Sequence, residues 1–244
     1  KEFNIKVKKG IFSKEIKEFY KSYILYKESK LPFVTCKLAV SKDFFTINKN
    51  KKWITNKYSR GRVHLMRSKH DVIITSSETI IKDNPFLNCR INGLEKTTPT
   101  KIILDNHLKT PLNCNVIKSK SKGRTFIFYN KKNIKKIQLL KKLGIKTYKI
   151  PINETGNLDL KEVLFKTKKL GFSRVFLESG IRLSTNFLNE NLVNELKIFI
   201  SNQKLSKNGR GNIGKFLKNV LRGKKSVVEK VYLFDEKLIS YKIK

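Results

Sequence analysis

Acid is scarce in this chain: 19 Asp and Glu stand against 55 Lys and Arg, giving a net charge of +36 over 244 residues. Arginine is scarce as well, with nine against 46 lysines. Nucleic-acid readers lean on arginine for bidentate contacts. A lysine excess spread along the whole chain, accompanied by many Ile and Asn, all three encoded by A/T-rich codons, reads instead as composition drift. A basic nucleic-acid-binding module is the rival reading, and a contiguous basic face would favour it. Only three cysteines occur, Cys36, Cys89 and Cys114, with no C-x-x-C. That excludes a disulfide scaffold or a thiolate zinc site and suits reduced thiols in a cytoplasmic setting. His64, His70 and His107 form no ligand-spaced cluster, so they are expected as surface or packing residues and no metal site is expected. No apolar run reaches the ~20 residues of a membrane span, and no signal-peptide pattern is visible. Nucleic acid and membrane are therefore not expected as partners.

What is present is an alternation of two periodicities. Residues 11–29 carry Ile16, Phe19, Tyr20 and Tyr23 at helical spacing. "LPFVTCKLAVS" reads as a strand buried on both faces, with Lys37 in its middle. A Thr55/Asn56 cap opens a helix through Val63, Met66 and Arg67. "DVIITSS" is a strand, and "ETIIKDNP" a short helical turn stopped before Pro85. "KIILD", "TFIFYN" and "KTYKIP" are strands, with a helix over "NIKKIQLLKKLG". Leu160, Val163, Leu164, Thr167 and Leu170 share one face of the next helix. "SRVFLE" and "ELKIFIS" are strands around a short helix. "KVYLFD" and "LISYKI" are expected to form a terminal hairpin. The order implies an α/β fold with a mostly parallel sheet and an antiparallel C-terminal edge.

"GRGNIG" at Gly209–Gly214 matches G-x-G-x-x-G literally, with Asp235 at a suitable distance. Seven residues separate it from the strand before it, so its first glycine does not sit on a strand end, where a dinucleotide loop requires it. A flexible basic loop is the expectation.

Three segments carry more specific information: "LPFVTCKLAVSKD", "WITNKYSRGRVHLMRSKHDVIITSSETIIKDNPFLNCR" and "VFLESGIRLSTNFLNENLVNEL". With "KIILD", they resemble the reductase domain of the bifunctional riboflavin-biosynthesis deaminase/reductase. The Trp-Ile-Thr, the arginine on the following helix, the Thr-x-x-x-Asp-x-Pro turn and the distal arginine come in the family's order. The resemblance implies a dihydrofolate-reductase-like α/β fold with helices on both faces of the sheet. It also implies NADPH-dependent reduction of 5-amino-6-(5-phosphoribosylamino)uracil to the ribitylamino product, with the phosphorylated pyrimidine as substrate and a homodimer as the assembly. Residues 1–30 then resemble the tail of a deaminase domain plus a connecting helix, and 31–244 the reductase domain. Zinc would belong only to the absent deaminase domain. A reductase of the same fold acting on another pyrimidine or pterin is the nearer alternative.

Residue by residue, the resemblance implies Lys37 and Glu178 as a catalytic pair. A lysine in a buried strand is costly unless it faces a cleft or a partner, and a Lys/Glu pair suits a step that moves a proton with a hydride. Lys51, Arg67, Leu87, Arg90 and Glu178 match substrate positions, the arginines suiting a phosphate. Val40, Trp53, Thr79 and Asp83 match cofactor contacts, as does the run Gly180, Ile181, Arg182, Leu183, Ser184, Thr185 and Asn186, where a helix start can hold a phosphate. Departures from the family are Phe44, where a glycine is usual, Lys51, where a serine is expected, and Ser179 in a frequent Glu-Gly-Gly.

Overall fold

The computed structural model describes residues 6–119 and 124–244. In chain order the elements are α1 (Ser13–Glu28), β1 (Phe33–Val40), β2 (Phe45–Asn48), α2 (Lys57–Ser68), β3 (Val72–Ser76), α3 (Ser77–Asp83), β4 (Thr100–Leu104), α4 (Asn115–Lys118), β5 (Thr125–Tyr129), α5 (Ile134–Lys142), β6 (Lys146–Lys149), α6 (Leu160–Lys169), β7 (Arg174–Leu177), α7 (Ile181–Asn189), β8 (Glu195–Ile200), β9 (Gly209–Asn212), α8 (Gly214–Val220), β10 (Ser226–Val228) and β11 (Lys237–Lys242).

Nine strands form one sheet in the order β10-β11-β8-β1-β7-β3-β4-β5-β6. From β8 to β6 the pairs are parallel; β11 and β10 add an antiparallel edge. Strand alternation sends two apolar sets to opposite faces. Val34, Cys36, Leu38 and Val40 of β1 join Val175 and Leu177 of β7 under α6, α7 and α8. Phe176 and Phe199 face the other way, under Val63 and Met66 of α2 and Ile80 of α3. Each fully buried side chain of this kind contributes about 1.5–3 kcal/mol. The expected α/β architecture, with helices on both faces and an antiparallel C-terminal edge, is thus the observed one.

Local chemistry sets the element ends. Asn56 Oδ1 accepts the Ser59 N–H at 3.0 Å and caps α2, and Ser76 caps α3. Both leave free amides satisfied at a helix start. At the sheet's far edge, β6 exposes Lys146 and Lys149, which discourages pairing with another chain.

Two expectations change. The terminal hairpin forms, but β10 lies at Ser226–Val228, and "KVYLFD" is the connection to β11. The expected flexible basic loop is ordered: Gly209–Asn212 is β9, antiparallel to β2, and Gly214 opens α8. Gly209 is needed there, because a Cβ would stand 2.2 Å from Cγ of Phe45. Phe44 keeps the left-handed backbone that a glycine adopts readily, at φ 64°. Lastly α1 is helical, yet it buries no residue, and its apolar positions Ile16, Phe19, Tyr20 and Tyr23 are exposed. It is tethered by Lys168 Nζ, which donates to the carbonyls of Tyr26 and Ser29. Residues 1–5 of the 1–30 segment lie outside the described residues.

Candidate active site

Parallel register brings Lys37 and Glu178 to one level of the sheet. Cys36 is paired with Leu177, and the next residue on each strand is Lys37 and Glu178. On the far side Ile74 pairs with Leu177 and accepts the Glu178 N–H at 3.1 Å, which sets Thr75 at the same level. Glu178 and Thr75 lie at the carboxyl ends of β7 and β3, where open α/β sheets bind their ligands, and Lys37 stands at their level within the longer β1. Lys37 Nζ lies over the Phe199 ring, 5.9 Å from its centroid.

The hydrogen-bonding partner of Glu178 is Arg67, from the last turn of α2. Nε donates to one carboxylate oxygen at 2.8 Å and Nη2 to the other at 2.7 Å. The third nitrogen, Nη1, donates to the Asn88 carbonyl at 3.0 Å. The guanidinium expected to be free for a substrate phosphate is therefore committed on all three nitrogens. The reason is burial: an acid at the end of an inner strand needs a close cation, and the planar fork matches both its oxygens.

Burial drives the Glu178 carboxyl upward, but Arg67 and then Lys37 outweigh it and hold it below the usual range. Burial likewise lowers the Lys37 ammonium, with Glu178 pulling it back and Arg67 adding to the fall. Lys37 and Glu178 thus act on each other electrostatically, and Arg67 stands between a simple pair and a triad.

The loop after α3 supplies two more expected residues. Leu87 is buried at φ 49°, and Arg90 is exposed, its Nη2 3.2 Å from His64 Nε2. Lys51 is exposed on the connection from β2 to α2. Trp53 is 55% exposed, with Lys52 Nζ 5.3 Å and the Arg60 guanidinium 5.2 Å from its ring, within the reach of cation–π contact; it is not a core residue.

The cofactor candidates gather partly. Thr79 Oγ1 accepts the Gly180 N–H at 3.2 Å and meets Ser76 Oγ at 3.0 Å, so the α3 start and the α7 start touch. Gly180 caps α7 without a side-chain acceptor, leaving the first-turn amides of α7 without a capping oxygen. Ile181 and Leu183 pack on the core, Arg182 is exposed, Ser184 is buried with its hydroxyl on the Gly180 carbonyl, and Thr185 returns its hydroxyl to Arg182. Asn186 lies one turn deeper and accepts the Glu190 N–H on its carbonyl. Asp83 is exposed at the end of α3, and Val40 is wholly buried on the face away from Lys37.

Three participants escaped the sequence reading. His64, expected as a surface or packing residue, contacts Asn88, Arg67 and Arg90. Its position one turn before Arg67 on α2 was the available signal. Thr75 Oγ1 and Asn88 Oδ1 are buried without a hydrogen-bond partner among the described protein atoms, a state that ordinarily marks a place for a ligand or solvent. Among the described residues no His/Cys/Asp/Glu cluster could hold a metal ion, no helix is long and apolar enough to cross a membrane, and Cys36, Cys89 and Cys114 are all free and buried.

A largely parallel sheet with a buried Lys–Glu–Arg cluster at the strand ends, beside a helix start with free amides, defines a ligand-binding α/β domain. Residues 32–211 match the RibD C-terminal domain, and the chain belongs to that family. It is 31% identical to the riboflavin biosynthesis protein RibD of Aquifex aeolicus over 81% of this chain and 54% of that protein. It is 32% identical to the 5-amino-6-(5-phosphoribosylamino)uracil reductase of Buchnera aphidicola subsp. Acyrthosiphon pisum, over 63% of this chain and 76% of the relative. The fold is shared with the RibD of Acinetobacter baumannii, at TM-score 0.75 and 21% identity over 93% of this chain and 62% of that one. It is also shared with the riboflavin biosynthesis reductase Rib7 of Saccharomyces cerevisiae, at TM-score 0.68 and 21% identity over 93% and 99%. The chain spans little more than half the length of the Aquifex RibD, at 54%.

Proposed function

We propose that this chain reduces the ribosyl side chain of 5-amino-6-(5-phosphoribosylamino)uracil to the ribitylamino product, with NADPH as reductant. The observation that carries the reading is the Lys37–Glu178–Arg67 cluster at the strand ends, in a chain similar to a reductase named for this substrate.

The residues suit a dinucleotide phosphate. The uncapped amides of α7 and the exposed Arg182 offer donors to an anion. At Gly180 the nearest atom to an added Cβ is Thr79 Oγ1 at 3.9 Å, so the approach to the backbone is open. NADPH held by its phosphate there would supply a hydride. In the substrate, hydride addition at C1 of the ribose breaks the bond to the ring oxygen, and that oxygen keeps the electron pair and takes a proton. Lys37, whose ammonium is made more acidic by burial, gives the proton, and Glu178 holds the local charge in balance. Arg90 and Lys51, both exposed, are the cations offered to the substrate phosphate. A preceding zinc deaminase unit joined through residues 1–30, a homodimer and a cytoplasmic location belong to the same proposal.

The test is direct. Folded, purified chain is given the ribosylamino-uracil phosphate and NADPH, and the nicotinamide absorbance is followed together with product mass. NADPH loss that depends on the substrate, with a product two hydrogens heavier, is expected. Stable absorbance with a folded sample overturns the proposal.

A further inference from the structure

We propose that His64 is a positioning residue: it holds the loop that carries Leu87 and Arg90 in register with the Arg67–Glu178 pair, and so sets the affinity for the phosphorylated substrate; this rests on the reductase reading above.

The geometry ties the ring to the loop at two residues. Nδ1 lies 2.9 Å from the Asn88 carbonyl oxygen. The Arg90 N–H donates to Nδ1 at 3.1 Å. Nε2 lies 3.2 Å from Arg90 Nη2, which can only donate. Asn88 O also accepts from Arg67 Nη1 at 3.0 Å. A continuous path therefore runs from Arg90 through His64 and Asn88 to Arg67 and Glu178. The loop needs such a hold, because Asn84 and Leu87 have φ of 41° and 49°, a backbone region uncommon for side chains other than glycine.

The groups facing the imidazole are Arg67 on its own helix, Arg90 and Asn88 on the loop, and Glu178 from the end of β7. Burial, then Arg67 and Arg90, depress its protonation, while Asn88 and Glu178 oppose them. The neutral ring is the one that accepts from Arg90. A second proton leaves the ring no acceptor for either Arg90 donor, and the tie opens.

The test combines kinetics with imidazole NMR. His64→Ala, which removes both ring nitrogens, is expected to raise substrate KM roughly tenfold, the loss of one charge-assisted hydrogen bond, with kcat changed by less than about twofold. His64→Gln retains an acceptor at the Nε2 position and should stay nearer the parent. Combined with Arg90→Ala, His64→Ala should add nothing further to KM. In the parent, KM should rise as pH falls through the His64 titration. Unchanged KM in His64→Ala, or effects of the two substitutions that multiply, overturns the inference. The tie is also read without turnover: Arg90→Ala should move the His64 titration upward by removing a positive neighbour. An unmoved titration overturns it. A parent chain that turns nothing over sinks the reductase reading instead, and the imidazole signals still decide the tie.

Discussion

Glu178 closes both carboxylate oxygens on the Arg67 guanidinium, at 2.7 and 2.8 Å, with side chains only 17% and 12% exposed. Such a pair is worth little against a well-packed apolar substitute, but breaking it from one side strands a buried charge. Arg67→Ala should therefore cost about 3–5 kcal/mol in urea unfolding, and Arg67→Met with Glu178→Leu should recover most of it. A single-variant loss under ~1 kcal/mol would place the pair with ordinary surface bridges.

Lys37 separates chemistry from stability. Met has a comparable stem and no charge to desolvate, so Lys37→Met should leave the unfolding midpoint unchanged or raised. Turnover should fall by ~10²–10⁴, the usual worth of a placed proton donor. Parallel loss of melting temperature and activity would instead make Lys37 a structural residue.

Asp43 is a pH-dependent clasp for the two-stranded arm. Its carboxylate accepts from Ser41 Oγ at 2.6 Å and from the N–H groups of Leu205 and Ser206. Burial pulls the carboxyl upward, but these donors outweigh it and bring it from 3.8 to about 2. A depressed carboxyl contributes stability above its unfolded pKa and loses it as pH falls through the folded one. The clasp should be fully present above pH 3.8 and lost toward about 2. Asp43→Asn should weaken the fold at neutral pH and flatten its acid dependence over that window, as read by denaturant midpoints at stepped pH. Identical slopes in parent and variant would remove Asp43 from the account.

Gly209→Ala should force β2 and β9 apart, since the new methyl meets the Phe45 ring at its root rather than at a movable end. Overpacking of this kind costs about 1–3 kcal/mol. Phe45→Ala in the same chain should relieve most of it. Hydrogen exchange confined to residues 45–48 and 209–212 is the readout; unaltered protection there would show that the arm absorbs the methyl.

Much of this molecule is written locally. The period of apolar residues gives the helices and inner strands, because burial on one face or two leaves a period that neighbouring residues reveal. Asn56 announces α2, and Lys37 and Glu178 stand out as charges on otherwise apolar strands. The β2–β9 arm was invisible because its partners are about 160 residues apart and its glycines serve a contact, Gly209 on Phe45, rather than a turn. "KVYLFD" alternated like a strand, yet Ser226–Val228 took the place beside β11, since edge pairing depends on what the neighbouring strand leaves open.

Sequence alone therefore determined which residues bear charge on the inner strands and what kind of layers they would build. Only the tertiary structure decided who meets whom. The crossover connections set β1 between β7 and β8 and so align Lys37 with Glu178. The seating of α2 on the sheet gives Glu178 to Arg67 and draws His64 into the network. Those pairings are settled by packing across distant segments, where burial of one acid selects the nearest guanidinium and no local spacing records the choice.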